Sequence, residues 1–171
     1  MEINNNHIRK YPIGIQSFEN LRREGYLYVD KTALIYRLIT TGKPYFLSRP
    51  RRFGKSLLLS TLKAYFEGKK ELFEGLAIEK LEKQWAVHPV LHLDLNAEKY
   101  DSVERLEMQM NSQLLNWESQ YGCDAKDWTY SIRFMNVIKA AYEQTGQQVV
   151  VLIDEYDKPM LQAIGRDELQ E

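Results

Sequence analysis

Gly54, Lys55 and Ser56 stand in a row just ahead of an apolar helical pattern, and that order of residue types suits phosphate binding. A glycine lets the backbone approach a polyphosphate closely, a lysine ammonium reaches its terminal oxygens, and a serine hydroxyl can ligate magnesium. Consecutive backbone N–H groups at the start of a helix add a positive end that favours the same anion. The strict G-x-x-x-x-G-K-[ST] signature is incomplete, because Arg49 stands where its first glycine would fall. A basic surface turn before an amphipathic helix is the competing reading of these residues.

A second group that could do chemistry lies far downstream, where Val149-Val150-Val151-Leu152-Ile153 runs into Asp154 and Glu155. The apolar run predicts a strand buried on both faces, as in a parallel sheet covered by helices. In phosphoryl-transfer sites an acid at such a strand tip contacts magnesium, and a following glutamate orients and deprotonates the attacking water. Asp154 and Glu155 fit those two roles by order, and a solvated acidic turn is the bland alternative. A GTPase would offer Asp-x-x-Gly here, whereas this chain has Asp154-Glu155-Tyr156-Asp157.

These side chains need a scaffold. Pro44 to Ser48 predicts a strand leading into the basic turn. Ser56 to Phe66 predicts a helix, with Leu58, Leu62, Tyr65 and Phe66 at helical spacing and Gly68 as a stop. Upstream, Pro12 to Ile15 suggests an ordered turn, Ser17 can cap a short helix, Tyr26 to Val29 is extended, and Asp30 can cap a helix to about Thr40. Tyr11, Tyr26 and Tyr28 could stack on a purine, although core packing explains such residues more often. Lys69 to Trp85 predicts two short helices broken near Gly75, and Val90 to Leu95 a core strand with Asp94 near its end. Asp94 is open to two readings, facing a nucleotide or serving as a hydrogen-bonded structural residue; His92 reads as packing. Ser102 to Tyr121 and Tyr130 to Gln144 are amphipathic helices, the second with Phe134, Val137, Ile138, Ala141 and Tyr142 inward. The alternation of helices and strands predicts an α/β fold.

Length and composition fit this picture. The 171 residues suit one domain spanning 11–171 behind a loose tail at 1–10, and 44% apolar with 27% charged residues is ordinary globular usage. A net charge of −1 gives no global pull toward nucleic acid or anionic membrane. Cys123 is the only cysteine, which excludes an internal disulfide and a cysteine-rich zinc site and suits a reducing compartment. No apolar run reaches the length of a membrane span and no secretory pattern opens the chain, so a cytoplasmic location is expected.

Four motifs in order carry a resemblance: Tyr11-Pro12-Ile13-Gly14, Tyr28-Val29-Asp30-Lys31-Thr32, Arg49-Pro50-Arg51-Arg52-Phe53-Gly54-Lys55-Ser56, and Leu152-Ile153-Asp154-Glu155-Tyr156-Asp157-Lys158-Pro159. From Tyr11 to about Ile164 the chain resembles the bacterial predicted AAA-ATPase-like family. That family's loop also has Arg-Pro where others have Gly-x. The resemblance implies a P-loop NTPase of the additional-strand type: a three-layer α/β sandwich with a mostly parallel central sheet, followed in longer members by a restriction-nuclease-like domain. It implies ATP and magnesium as ligands. The implied nucleotide contacts are Arg51, Arg52, Phe53, Gly54, Lys55, Ser56 and Leu57, with Ser56 and Asp154 on the metal and Glu155 and Lys55 in catalysis. No candidate for the following sensor strand appears after Gly165, so a domain truncated before that strand is expected, along with a protein partner, a missing C-terminal module or a homo-oligomer to complete it.

The expected function is magnesium-dependent ATP hydrolysis driving a conformational change in a partner or adjacent module. A nucleotide- or nucleic-acid-binding module using Arg49, Arg51 and Arg52 as a phosphate clamp is one alternative, and a P-loop kinase is another.

Overall fold

The computed structural model describes residues 10–42, 44–48, 50, 52–96, 102–124 and 128–158. Residues 1–9 of the loose tail expected at 1–10, Arg49 and Arg51 of the basic turn, and the stretch after 158 lie outside the described residues. The chain divides into two compact units, Met1–Ala86 and Val87–Glu171.

In the first unit, Ser17 caps helix α1 (Phe18–Arg23) as its type predicts, its hydroxyl accepting from the Asn20 amide at 3.2 Å. Helix α2 (Thr32–Thr41) starts one residue later than a simple Asp30 cap would give. Asp30 reaches further than expected: one carboxylate oxygen accepts from the Thr32 amide and hydroxyl, the other from the Ala77 amide at 2.7 Å. Burial pushes this carboxyl up, but the Thr32 and Ala77 donors outweigh it and hold the group below its ordinary value. Helix α3 (Lys55–Phe66) is followed by a 3-10 turn (Lys70–Phe73) and helix α4 (Ala77–Leu81), the two short pieces expected around Gly75.

The core of this unit gathers Phe18, Ala64, Leu72, Phe73, Leu76 and Ile78, with Tyr28, Tyr36, Leu57, Tyr65 and Trp85 packed on it. Tyr28 stands edge-on to Phe18 at 5.2 Å between ring centres, so it is a core residue. Tyr11 is exposed. After α4, Glu82 accepts from the amides of Lys83 and Gln84 at 2.7 Å and from the Tyr65 hydroxyl. Burial raises its carboxyl, and the Tyr65 hydroxyl and these amides more than reverse the shift.

The strand expected at Pro44 to Ser48 is not observed: among the described residues this segment joins no ladder. An apolar run becomes a strand only when a neighbouring backbone satisfies its N–H and C=O groups. Here Tyr45 turns back to the end of α2, donating its hydroxyl to the Leu38 carbonyl at 2.7 Å, and Phe46 is 71% exposed.

The second unit is built from strand β1 (Val90–Asp94), helix α5 (Val103–Tyr121), helix α6 (Tyr130–Thr145) and strand β2 (Val150–Asp154). Ser102 and Thr129 cap the two helices through their hydroxyls, and Gly122 and Gly146 end them. The strands pair in parallel, Val90 opposite Val150 through to Asp94 opposite Asp154, and the two helices make the crossover. Leu91, Leu114, Trp117, Tyr121, Val137 and Ala141 form the core.

Two expectations fail in this unit. Tyr142 is exposed rather than inward, and Arg133 takes a buried place on α6 instead. Its guanidinium donates to both oxygens of Glu118 on α5, each at 2.7 Å, and to Asn111 Oδ1 at 2.6 Å. Nor is β2 buried on both faces, since Val151 and Ile153 are exposed. The described sheet has two strands and the described architecture is mixed α/β.

Candidate functional site

The basic turn bends through two left-handed residues. Arg52 has φ 66° and Gly54 has φ 77°, ψ 23°, and α3 opens immediately at Lys55. A left-handed residue followed by a right-handed helical one turns successive N–H groups toward a common point, the concavity that anions occupy. Glycine takes this conformation without the steric cost a side chain would bring. The first intrahelical bond runs from the Leu58 amide to the Gly54 carbonyl at 3.0 Å, and no side chain caps the helix. Helix geometry therefore leaves the Ser56 and Leu57 amides without an acceptor inside α3.

Anchoring of this helix is local to the first unit. The Ser60 hydroxyl accepts from the Phe18 amide at 2.8 Å, and Thr61 is buried. The Leu57 side chain packs on the core, so only its amide is available to a ligand; Phe53 is 64% exposed beside the turn. Gly54, Lys55, Ser56 and Leu57 thus open α3 together, and their backbone amides, ammonium and hydroxyl are donors of the kind that suit an anion. Arg52 is exposed on the same turn.

The acidic tip belongs to the second unit. Asp154 ends β2 and is 7% exposed, while Asp94 ends β1 and is exposed. Partners in a parallel ladder point to the same face, so register sets these carboxylates side by side, with roughly 4.8 Å between their strands. The Leu95 amide continues the pairing to the Asp154 carbonyl at 3.1 Å. One oxygen of Asp94 accepts from the Asn96 amide at 2.7 Å, which fulfils the structural reading of this residue. Magnesium in phosphate chemistry takes one or two carboxylates, with water and phosphate filling the rest of its shell. The Asp94 and Asp154 pair fits that requirement. Among the described residues no group of three or more His, Cys, Asp or Glu forms a metal cluster.

Glu155 follows in the left-handed region, φ 54°, and is half-buried. A residue with a side chain pays about 1–3 kcal/mol for a sparsely populated backbone state, and such residues concentrate at functional sites. The turn is closed by the Lys158 amide donating to the Glu155 carbonyl at 3.0 Å. The Lys158 ammonium donates to the Asn96 carbonyl at 2.8 Å and to its Oδ1 at 3.1 Å, and Gln109 Nε2 donates to the Asp94 carbonyl at 2.9 Å. Asn96, Gln109 and Lys158 were missed by sequence reasoning. Asn96 carried a usable signal, since an Asp two residues earlier favours a local side-chain turn; the lysine's reach across the strands carried none.

The fold and these residues define a mixed α/β protein with a left-handed Gly54-Lys55-Ser56 turn at a helix start and an acidic strand tip. The chain belongs to the predicted AAA-ATPase family, which matches residues 12–171. Membership suggests nucleotide binding, usually with magnesium. The chain is also 41% identical over 162 residues to an "Uncharacterized protein in vnfD 5'region" from Azotobacter chroococcum mcd 1. That alignment covers 94% of this chain and 31% of the relative, so the chain spans about a third of the length of the curated relative it matches. No solved structure matches it significantly. No helix among the described residues is long and apolar enough to cross a membrane.

Proposed function

We propose that the chain is the ATP-binding part of a magnesium-dependent ATPase whose cycle drives a conformational change in a protein partner or an adjoining module. The observation that carries this reading is the left-handed Gly54 opening α3 directly onto Lys55 and Ser56. In this reading the Ser56 and Leu57 amides hold phosphate oxygens, the Lys55 ammonium neutralises the terminal phosphates, and Arg52, with Arg51, adds positive charge beside them. Ser56 and Asp154 are the metal-holding oxygens, and Glu155 orients the attacking water and takes its proton. Magnesium, when bound, offsets the charge that develops on the transferring phosphate.

Titration calorimetry with ATP, with and without magnesium, tests the binding half of the proposal. Binding by the wild-type chain that disappears in Lys55→Ala is expected; equal affinity in the variant would overturn it. Phosphate release tests the other half. Glu155→Gln is expected to bind ATP and stop turnover, and unchanged turnover would remove Glu155 from its role. Salt-dependent nucleic-acid binding that ATP does not displace would instead support a phosphate clamp without hydrolysis.

A further inference from the structure

The left-handed Glu155 poses a physical problem that the proposed function leaves open. A glutamate outside its favoured backbone regions relaxes unless the surrounding structure holds it there. The strand ladder does not do so, since it ends with the Leu95 amide on the Asp154 carbonyl. What closes the turn is Lys158, whose amide meets the Glu155 carbonyl at 3.0 Å and whose ammonium crosses to the exit turn of β1. There it meets both the carbonyl and Oδ1 of Asn96, the residue whose own amide holds Asp94. One side chain thereby ties the turn bearing Glu155 to the turn bearing Asp94, with a charged donor shared between two acceptors on a single residue.

We propose that Lys158 is a positioning residue for Glu155, acting through Asn96 as its anchor. This rests on the ATPase reading and adds a division of labour to it. The ammonium clamp fixes the direction of the Glu155 carboxylate, and so the step in which water is activated. Phosphate affinity is left to the turn at Gly54 to Ser56. Loss of the clamp lets Glu155 return toward an extended backbone and swings its carboxylate away, while the ladder still holds Asp154.

Steady-state phosphate release and calorimetric ATP affinity, measured on the same preparations, separate these effects. Lys158→Met is expected to lower kcat by about tenfold to a hundredfold, the lower part of the range general-base catalysis contributes. Its magnesium-ATP affinity should stay within about twofold, since a positioning residue acts on the transition state rather than on uniform binding. Lys158→Arg, whose guanidinium can still donate to both Asn96 acceptors, should recover most of the rate. Asn96→Ala removes one acceptor of two and should fall between, and the double variant should be no worse than Lys158→Met alone, because both changes remove the same interaction. Unchanged kcat in Lys158→Met, or affinity and rate falling together with no rescue by arginine, would overturn the positioning role. A wild-type chain that binds ATP without releasing phosphate would overturn the ATPase reading and this one with it, whereas normal wild-type turnover beside an indifferent Lys158→Met would sink this one alone.

Discussion

Replacing Arg133 by methionine isolates the energetics of the buried pair between α5 and α6. The variant keeps much of the stem volume and removes, among the described residues, the one cation bonded to Glu118, whose side chain is 3% exposed against 8% for Arg133. Both Glu118 oxygens lose a donor held at 2.7 Å, so a carboxylate is left in the helix interface without the guanidinium that bonds both its oxygens. Breaking one side of a buried pair costs about 3–5 kcal/mol, and at 1.4 kcal/mol per decade the middle of that range is roughly a thousandfold in the folding equilibrium. Replacing both charges, as in Arg133→Met with Glu118→Leu, removes the desolvation cost along with the attraction and is expected to lie near wild type. Urea denaturation followed by far-ultraviolet circular dichroism measures Arg133→Met, Glu118→Leu and the double variant. The single change should lower the midpoint strongly and the double change should restore it. A loss of under about 1 kcal/mol for Arg133→Met, or a double variant as unstable as the sum of its singles, would refute the claim that a desolvated pair joins these helices.

Gly54→Ala is expected to destabilise the chain by about 1 kcal/mol: the left-handed backbone penalises any side chain by about 1–2 kcal/mol, partly offset by a stiffer unfolded chain. A Cβ there would meet nothing within 4 Å, so the whole cost is conformational. Gly54→Asn should lose less in the same urea titration, and an alanine variant as stable as wild type would remove the strain argument. Acid should weaken the first unit through Asp30 and Glu82. Their folded pKa values lie below the ordinary 3.8 and 4.5, so the stability they contribute is present above those values and is lost as pH falls through the folded ones. Urea midpoints between pH 7 and pH 3 should drop in wild type, and Asp30→Asn should flatten part of that drop; an identical slope in the variant would exclude Asp30. Asp154→Asn should raise the magnesium concentration needed for tight ATP binding while leaving metal-free binding unchanged, as calorimetry across a magnesium series would show.

Most of the secondary structure was legible because its determinants sit within a few residues of one another. Ser17, Ser102 and Thr129 cap helices through bonds to amides three positions on, and Gly68 follows the helix it was expected to stop. The turn before α3 was legible for the same reason, its geometry being set by Gly54 and the helix after it. Where the sequence misled, a distant group had made the choice. The apolar segment from Pro44 to Ser48 has every strand preference, but Tyr45 bonds back to α2. On α6 the helical period marked Val137 and Ala141 as inward but also Tyr142, which is exposed, and it did not reveal the buried Arg133, which depends on Glu118 waiting on α5.

Sequence alone therefore determined the Ser17 cap, most helix limits, the two strands of the ladder and the Gly54-Lys55-Ser56 turn, all products of short-range sterics and hydrogen bonding. Only the tertiary structure decided that Asp94 stands beside Asp154, that Asp30 spans two helix starts, and that Lys158 reaches Asn96. Each of these joins residues far apart in the chain, and such pairings are fixed by the register and packing of whole elements. No local preference encodes them, because a carboxylate or an ammonium has the same intrinsic tendencies whichever distant partner the fold brings to it.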